Sequence, residues 1–456
     1  EILIGLVGSE MCIRDRIILD VGANSVRLAH YQQNSYFYDL CDESGLLVWA
    51  EVPVISRFSP KRNENAEQQL VELIKQNYNH PSIFCWGIEN EITIAGSASK
   101  KLITFLKHMH KVARHLDPTR YTTCAQLTMC PVNSPLNHIT DIIGYNHYYG
   151  WYMGSCDEIN NWLDEWHREN PEGKLCLSEY GAEGITKYHS DSPVQGDYSE
   201  DYQAIYHEHY IKAINERDWL WGSYVWNMFD FGSASRNEGG VRGRNNKGLV
   251  TFDRKTKKDA FWLYKAYWSD KKFVHITGER YVNRPAGKST IKVYSNCPEV
   301  TLEVNGKTYT KKTDRVFVFD DVELKLGENV IKARGGKVRP SHTITVNGIE
   351  KATDEYKMPA EYSSFVRNWF VAADSEGDPN KLSVEDSMGE VLSNGEVNKI
   401  IKNAAGDFAA KAVSSPLLKP IYPVKVKTMI KLAGKLGVDE KMLSLAGGFL
   451  QTIDKN

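Results

Sequence analysis

From Ile17 to about Trp268, short apolar runs alternate with amphipathic stretches of helical period. The runs with strand character are Ser25–His30, Leu46–Glu51, Ile83–Ile88, Tyr121–Ala125, Ile142–Asn146, Leu175–Glu179 and Gly222–Asn227. Between them, Glu64–Tyr78 carries Leu70, Leu73, Ile74 and Asn77 along one face, and Ser99–His115 and Tyr198–Arg217 repeat the period. Asp117-Pro118 supplies a helix stop. Strand then helix, repeated, predicts an α/β chain whose parallel sheet closes into a (β/α)8 TIM barrel. Seven strands are countable where closure takes eight, so the first strand is expected to be missing.

After Trp268 the pattern changes. Thr290–Tyr294, Val300–Val304, Val316–Phe319 and Glu328–Arg334 alternate apolar and polar positions between Asn-Gly, Gly-Lys and Gly-Gly turns, which predicts an immunoglobulin-like antiparallel β-sandwich. Glu350–Asp378 is polar and punctuated by Pro and Gly, as a linker is. Leu382–Asp454 is expected to be helical, with Ser383–Asp386 capping one helix and Lys425–Leu436 and Glu440–Ile453 offering apolar faces. The expected organisation is therefore 17–270 barrel, 271–349 sandwich, 350–380 linker and 381–456 helical region.

Two glutamates stand at strand ends within this pattern: Glu91, closing Ile83-Phe84-Cys85-Trp86-Gly87-Ile88-Glu89-Asn90-Glu91, and Glu179, in Leu175-Cys176-Leu177-Ser178-Glu179. Barrel chemistry gathers at the C-terminal rim of the strands. Two carboxyls facing each other there can cleave a glycosidic bond, one attacking and one supplying a proton.

Composition narrows the picture little. A formal net charge of −2 over 456 residues gives no global field for nucleic acid or an anionic membrane, and no transmembrane run or internal repeat stands out. Eleven Trp and 24 Tyr suit sugar stacking, although most such residues are core. The eight Cys lack metal-ligand spacing; Cys85, Cys124 and Cys176 lie in apolar runs as buried reduced thiols, which favours the cytoplasm. Residues 1–16 are expected to be a library artefact, because Leu6–Asp15 reads as one frame of a transposase sequencing adaptor; a short apolar N-terminal strand or a weak signal sequence is the alternative.

The chain resembles the family 2 glycoside hydrolases over roughly residues 17 to 349. The resemblance rests on Asn24–Tyr31 and Leu40–Gly45, similar to successive strand regions of that family, and on Trp86–Glu91, Gly144-Tyr145-Asn146-His147-Tyr148-Tyr149-Gly150-Trp151-Tyr152, Ser178–Ala182, Trp226–Phe231 and Asn245–Arg254. The family contains β-galactosidases, β-glucuronidases and β-mannosidases, retaining enzymes with no obligatory organic cofactor. It implies Glu91 as acid/base, Glu179 as nucleophile, Asn90 at the sugar 2-hydroxyl and Tyr148 hydrogen-bonded to the nucleophile. His30, Asn146, Tyr152 and Trp226 are expected to line the pocket, and Asp230 either contacts a sugar hydroxyl or braces its loop. Structural Na⁺ or Mg²⁺ occurs in relatives, but no cluster has convincing ligand spacing. A glycoside is the expected partner; a homo-oligomer is neither indicated nor excluded.

Rivals accompany these assignments. Glu89 shares a face with Glu91 if the strand is regular, and pairing with Arg27 is the structural use for it. Glu183 competes with Glu179 but is expected on the rim. Asn245 and Lys247 have the Asn-x-Lys spacing with which β-glucuronidases bind a uronate carboxylate. The stretches Arg236–Gly239, Lys247–Val250 and Lys257–Phe261 most resemble bacterial β-galactosidases, several of which carry a lysine here too. Val241 stands where bacterial glucuronidases tend to have an arginine. The expected function is thus an exo-acting β-galactosidase, with β-glucuronidase as the alternative. A second alternative is an inactive fragment, because family members carry further domains before the barrel and an incomplete barrel leaves unpaired edges.

Overall fold

The computed structural model describes residues 16–94, 98–336 and 340–359, together with 362, 382–383, 386–398, 415–429, 450, 453 and 455. Seven strands form one parallel sheet in chain order: β1 (Ser25–Leu28), β2 (Leu47–Glu51), β3 (Ile83–Asn90), β4 (Tyr121–Leu127), β5 (Ile143–Asn146), β6 (Leu175–Tyr180) and β7 (Gly222–Val225). The helices between them are α1 (Ser35–Ser44), α2 (Asn63–Asn77), α3 (Lys100–Leu116), α4 (Glu158–Glu169) and α5 (Glu200–Asn215), with α6 (Asp259–Trp268) after the last strand. This is a nearly closed TIM barrel. Among the described residues β7 does not pair with β1, and a cavity of about 740 Å³ lined by Val26, Leu28, Tyr224, Trp226 and Trp268 lies at that seam. The segment expected to be an artefact lies outside the described residues up to residue 15; residues 16–21 are helical.

Pleating explains the layers. On β2, Val48 and Ala50 join the core shared with the helices, whereas Trp49 joins the cluster of Cys85, Ala125, Cys176 and Tyr224 from other strands. Helix α3 buries Leu102, Phe105, Leu106, Met109 and Ala113, a 3.6-residue stripe, and Ser99 caps it by accepting from Leu102 N. Leu40–Gly45, likened above to a strand region, is instead the end of α1; Gly45 closes it in the left-handed region at φ 70°.

After a two-stranded hairpin of β8 (Phe231–Glu238) and β9 (Val241–Asn245), there lie beyond the barrel a three-stranded sheet, β10 (Val274–Ile276), β12 (Gly287–Ser295) and β15 (Val316–Leu324), and a five-stranded one. The latter runs β11 (Asn283–Pro285), β17 (Ser341–Ile349), β16 (Gly327–Gly335), β13 (Glu299–Val304) and β14 (Lys307–Lys312). Their inner faces share one core, including Val293, Leu302, Phe317, Ile331 and Val346. The β13–β14 hairpin turns on Asn305-Gly306, both at positive φ, as a two-residue type I′ loop requires.

The segment after β17 differs from a plain linker where it is described. Tyr356 accepts from His189 N at 2.9 Å and stacks edge-on against Tyr281. Near the C-terminus the capping box sits on Ser387 and Glu390 at the start of α7 (Met388–Ser393), four residues beyond the Ser383 start expected from sequence. Most of the two expected later helices lies outside the described residues.

Candidate active site

The strand ends bring the two glutamates to one place through irregularities in the sheet. The β3–β4 register shifts between Gly87 and Asn90, and Glu91 adopts φ 50°. Strict alternation therefore ends there, and bulges of this kind re-aim side chains beside active sites. Glu89 turns to Gln126 Nε2 (2.8 Å) and the Ile92 amide (3.1 Å), while Asn146 Nδ2 on β5 donates to both Glu91 Oε1 (3.0 Å) and Asn90 Oδ1 (3.1 Å). Asn146 Oδ1 accepts from Ser178 Oγ at 2.7 Å, tying β5 to the residue before Glu179. The expected pairing of Glu89 with Arg27 does not occur: the bulge separates them.

Arg27 instead serves the other carboxyl. Its NH1 donates to Glu179 Oε1 (2.9 Å) and the Ser178 carbonyl (3.1 Å), its NH2 to Asn90 Oδ1 (2.7 Å), and its Nε to Glu51 Oε2 (2.9 Å). Trp49 lies under the guanidinium, 4.7 Å from ring centroid to Cζ. Tyr148 OH donates to Glu179 Oε2 at 2.7 Å. His30 Nδ1 bonds Glu51 at 2.6 Å, and its ring stacks on Trp226 with centroids 5.4 Å apart. Gly181 is required where β6 ends, because a Cβ there would collide with the Trp226 carbonyl oxygen.

Environment separates the acids. Burial, then the charge of Glu179, pushes the Glu91 carboxyl up to about 8, with the Asn146 bond pulling back. Burial also lifts Glu89 to about 8. Glu51 moves the other way: burial opposes its charge, but Arg27 and His30 hold it below the usual carboxylate range.

A second charged cluster lies beyond the tyrosines. The rings of Tyr148 and Tyr152 are 5.0 Å apart, and Tyr152 OH accepts from Lys247 Nζ (2.8 Å) and from Arg236 NH2 (3.0 Å). Glu183 lies in the loop after β6, as expected, but it does not face solvent. It is fully buried, with Oε1 facing Lys247 (3.3 Å) and Arg236 (2.8 Å) and Oε2 accepting both Asn246 donors. Burial would raise its pKa, but the two cations hold it at about 2. Asn245 Oδ1 accepts the Lys247 amide, leaving Nδ2 to donate elsewhere. Asp230 is held within its loop. Its Oδ1 accepts from Gly248 N (2.9 Å) and from the buried Lys258 Nζ (2.7 Å), which also holds the Gly184 and Asn246 carbonyls.

Sequence reasoning missed Arg27 and Glu51 as site residues, and Arg236, Glu183 and Glu238 as the surroundings of Lys247. Glu51 carried the signal that singled out Glu91 and Glu179: a carboxyl at the end of an apolar strand. Among the described residues two other clusters have metal-ligating composition, His275/Glu279/His342 and Asp39/Asp42/His80. In the first, His342 Nδ1 accepts from Ile276 N, so the other ring nitrogen of the neutral imidazole carries the proton and faces Glu279 as a donor. In the second, Asp42 is engaged by His80 and the Ser82 amide. Every cysteine among the described residues is unpaired, and no helix among them is long and apolar enough to cross a membrane.

Fold and site together define a class: a TIM barrel whose strand ends assemble two carboxyls with an arginine, a tyrosine and amides around them. The chain belongs to glycosyl hydrolase family 2. The family profile described as "Glycosyl hydrolases family 2, TIM barrel domain" matches residues 6–273. A β-glucuronidase of Bacteroides fragilis is 39% identical over 358 residues, 74% of this chain and 49% of that protein. Among solved structures, the FMN-binding β-glucuronidase from Facaelibacterium prausnitzii L2-6 is 49% identical with a TM-score of 0.75, over 77% of this chain and 54% of that one. A Bacteroides fragilis structure described only provisionally as a β-galactosidase is 36% identical with a TM-score of 0.71, over 75% and 52%. The chain spans about half the length of the relatives it matches.

Proposed function

We propose that the protein is a retaining, exo-acting β-glucuronidase, removing a terminal uronic acid from a glycoside by double displacement. Glu179 attacks the anomeric carbon while Glu91, protonated, gives its proton to the departing oxygen; Glu91 then takes a proton from the water that releases the sugar. Tyr148 and Arg27 orient the attacking carboxylate. Asn90 has its Oδ1 engaged by Arg27 and Asn146, so its Nδ2 is the end available to the 2-hydroxyl. His30 and Trp226 form an aromatic wall.

One observation carries the choice of sugar. Lys247 and Arg236 occupy both lone pairs of the Tyr152 hydroxyl, so Tyr152 can only donate to a ligand. Asn245 Nδ2 and Lys247 Nζ are donors as well. A pocket wall made only of donors, one of them an ammonium, matches an acceptor-only carboxylate; a hydroxymethyl group both donates and accepts, and uses this wall poorly. The names of most relatives agree with this reading, which displaces the galactoside preference drawn from residues 236–261. The galactoside reading keeps one supporting neighbour. Assaying the purified chain with p-nitrophenyl β-D-glucuronide and β-D-galactoside separates them: faster kcat/KM on the galactoside overturns the proposal.

A further inference from the structure

Beside the donor wall lies a carboxyl for which the reaction above has no use. Glu238, at the end of β8 (Phe231–Glu238) where it turns into β9 (Val241–Asn245), is 1% exposed. Its Oε2 accepts from Arg236 NH1 at 2.7 Å, the same nitrogen that reaches Glu183 Oε1 at 2.8 Å. Its Oε1 is buried without a hydrogen-bond partner. An ionised carboxylate with one oxygen buried and unpaired is costly, and a proton on that oxygen removes the charge.

Several ionisable groups among the described residues face Glu238. Arg236 comes from its own strand, Glu183 from the segment after β6, Lys247 from the segment after β9 and the Tyr198 phenol from the approach to α5. Tyr152 approaches through Arg236. Lys247 and Arg236 contribute two positive charges and Glu183 one negative. With Glu238 ionised the cluster is neutral, and an arriving carboxylate becomes an unbalanced charge in a buried site. With Glu238 protonated the cluster carries one positive charge, which an arriving carboxylate cancels.

We propose that Glu238 is a specificity-determining residue that takes up one proton when an anionic sugar binds, so that recognition of the uronate is coupled to protonation of a carboxyl beside the pocket. The proposal rests on the uronate reading and extends it. The step balances as ionised Glu238, uronate and one proton from solvent giving the complex with neutral Glu238; no bond to carbon changes. Burial, then the Glu183 charge, pushes the Glu238 carboxyl up to about 7 against Arg236 and Lys247, which puts the uptake within the working range of most hydrolases. A uronate carboxyl, with an ordinary pKa of roughly 3–4, stays ionised throughout that range.

The test compares the wild-type chain with Glu238→Gln, which is neutral at every pH. KM for p-nitrophenyl β-D-glucuronide is measured from about pH 5.5 to 8.5, and proton uptake on binding D-glucuronate is measured by calorimetry in buffers of different ionisation enthalpy. Wild-type KM is expected to rise about tenfold between pH 7 and 8.5, with measurable uptake at pH 7.5. The variant is expected to show a flat KM and to lose that uptake. Identical KM profiles in the two proteins overturn the proposal while leaving the uronate reading intact. Absence of glucuronate binding at every pH overturns both. Should the variant fail to fold, the wild type decides alone: above about pH 8, kcat/KM for the glucuronide must fall more steeply than kcat, and parallel falls refute the proton coupling.

Discussion

Lys247→Met tests the substrate assignment most directly, because it removes a charge while keeping the length of the side chain. The surroundings tolerate the loss: Glu183 keeps Arg236 at 2.8 Å and both Asn246 donors, and Tyr152 keeps Arg236 at 3.0 Å. No buried carboxylate is left without a cation. What disappears is the attraction between an ammonium and a substrate carboxylate. At about 5 Å and an effective dielectric of about 20, this is roughly 3 kcal/mol. A charged hydrogen bond valued at about 1.5–3 kcal/mol gives the same scale independently. At about 1.4 kcal/mol per tenfold, kcat/KM for p-nitrophenyl β-D-glucuronide should fall about 100-fold, whereas the galactoside, which has no charge at that position, should change by less than about threefold. The loss should appear mainly in KM, since the carboxylate is held alike in ground and transition states. Circular dichroism melts of the two proteins control for unfolding. Equal losses on both glycosides, or an unchanged glucuronide rate in a folded variant, refute the assignment of Lys247 to the sugar carboxylate.

Further outcomes follow from the same geometry. Glu91 must be protonated to act as an acid, so kcat/KM should carry a component that is lost as pH rises through about 8; in Glu91→Gln that component should vanish and only substrates with activated leaving groups should still turn over. Glu51→Gln weakens the hold on Arg27 and should cost about 3 kcal/mol in denaturant unfolding at neutral pH. Because the folded-state pKa of Glu51 is depressed, its contribution is present above its unfolded pKa of about 4.3 and is lost as pH falls through the lower folded value. The gap between wild type and variant should therefore narrow in acid, and a constant gap contradicts this account. Gly181→Ala should destabilise by about 1–3 kcal/mol or more, because β6 and the Trp226 carbonyl cannot separate without moving the aromatic wall; an unchanged melting midpoint argues against that contact.

The barrel was legible because its central strands, β3, β5 and β6 above all, are buried on both faces and read as largely apolar runs, and all seven strands end within a few residues of the expected places. Helix α1 was not. Its sequence, Ser35-Tyr36-Phe37-Tyr38-Asp39-Leu40-Cys41-Asp42-Glu43-Ser44, mixes aromatic and acidic residues, and its boundaries are fixed by Asn34 and Gly45 rather than by a strong stripe. The site residues at strand ends were legible as residue types, but their partners were not. Which of Glu89 and Glu91 meets Asn146 depends on a bulge, a property of register between strands that no single strand encodes. Arg236 and Glu238 lie on a glycine-rich hairpin with no helical or strand burial period to separate a buried ion from a solvated one. Their role shows only once Glu183, more than fifty residues earlier, is folded against them.

Arg27 holds Glu51, Asn90 and Glu179 at once, so the two carboxyls proposed for catalysis are unequally replaceable. Stripping the side chain from position 179 removes one of the contacts that tie β1 to β6 and leaves Arg27 held by Glu51, Asn90 and the Ser178 carbonyl. Emptying position 91 vacates only an amide contact. A protein engineer should therefore expect the acid/base knockout to disturb the scaffold less than the nucleophile knockout.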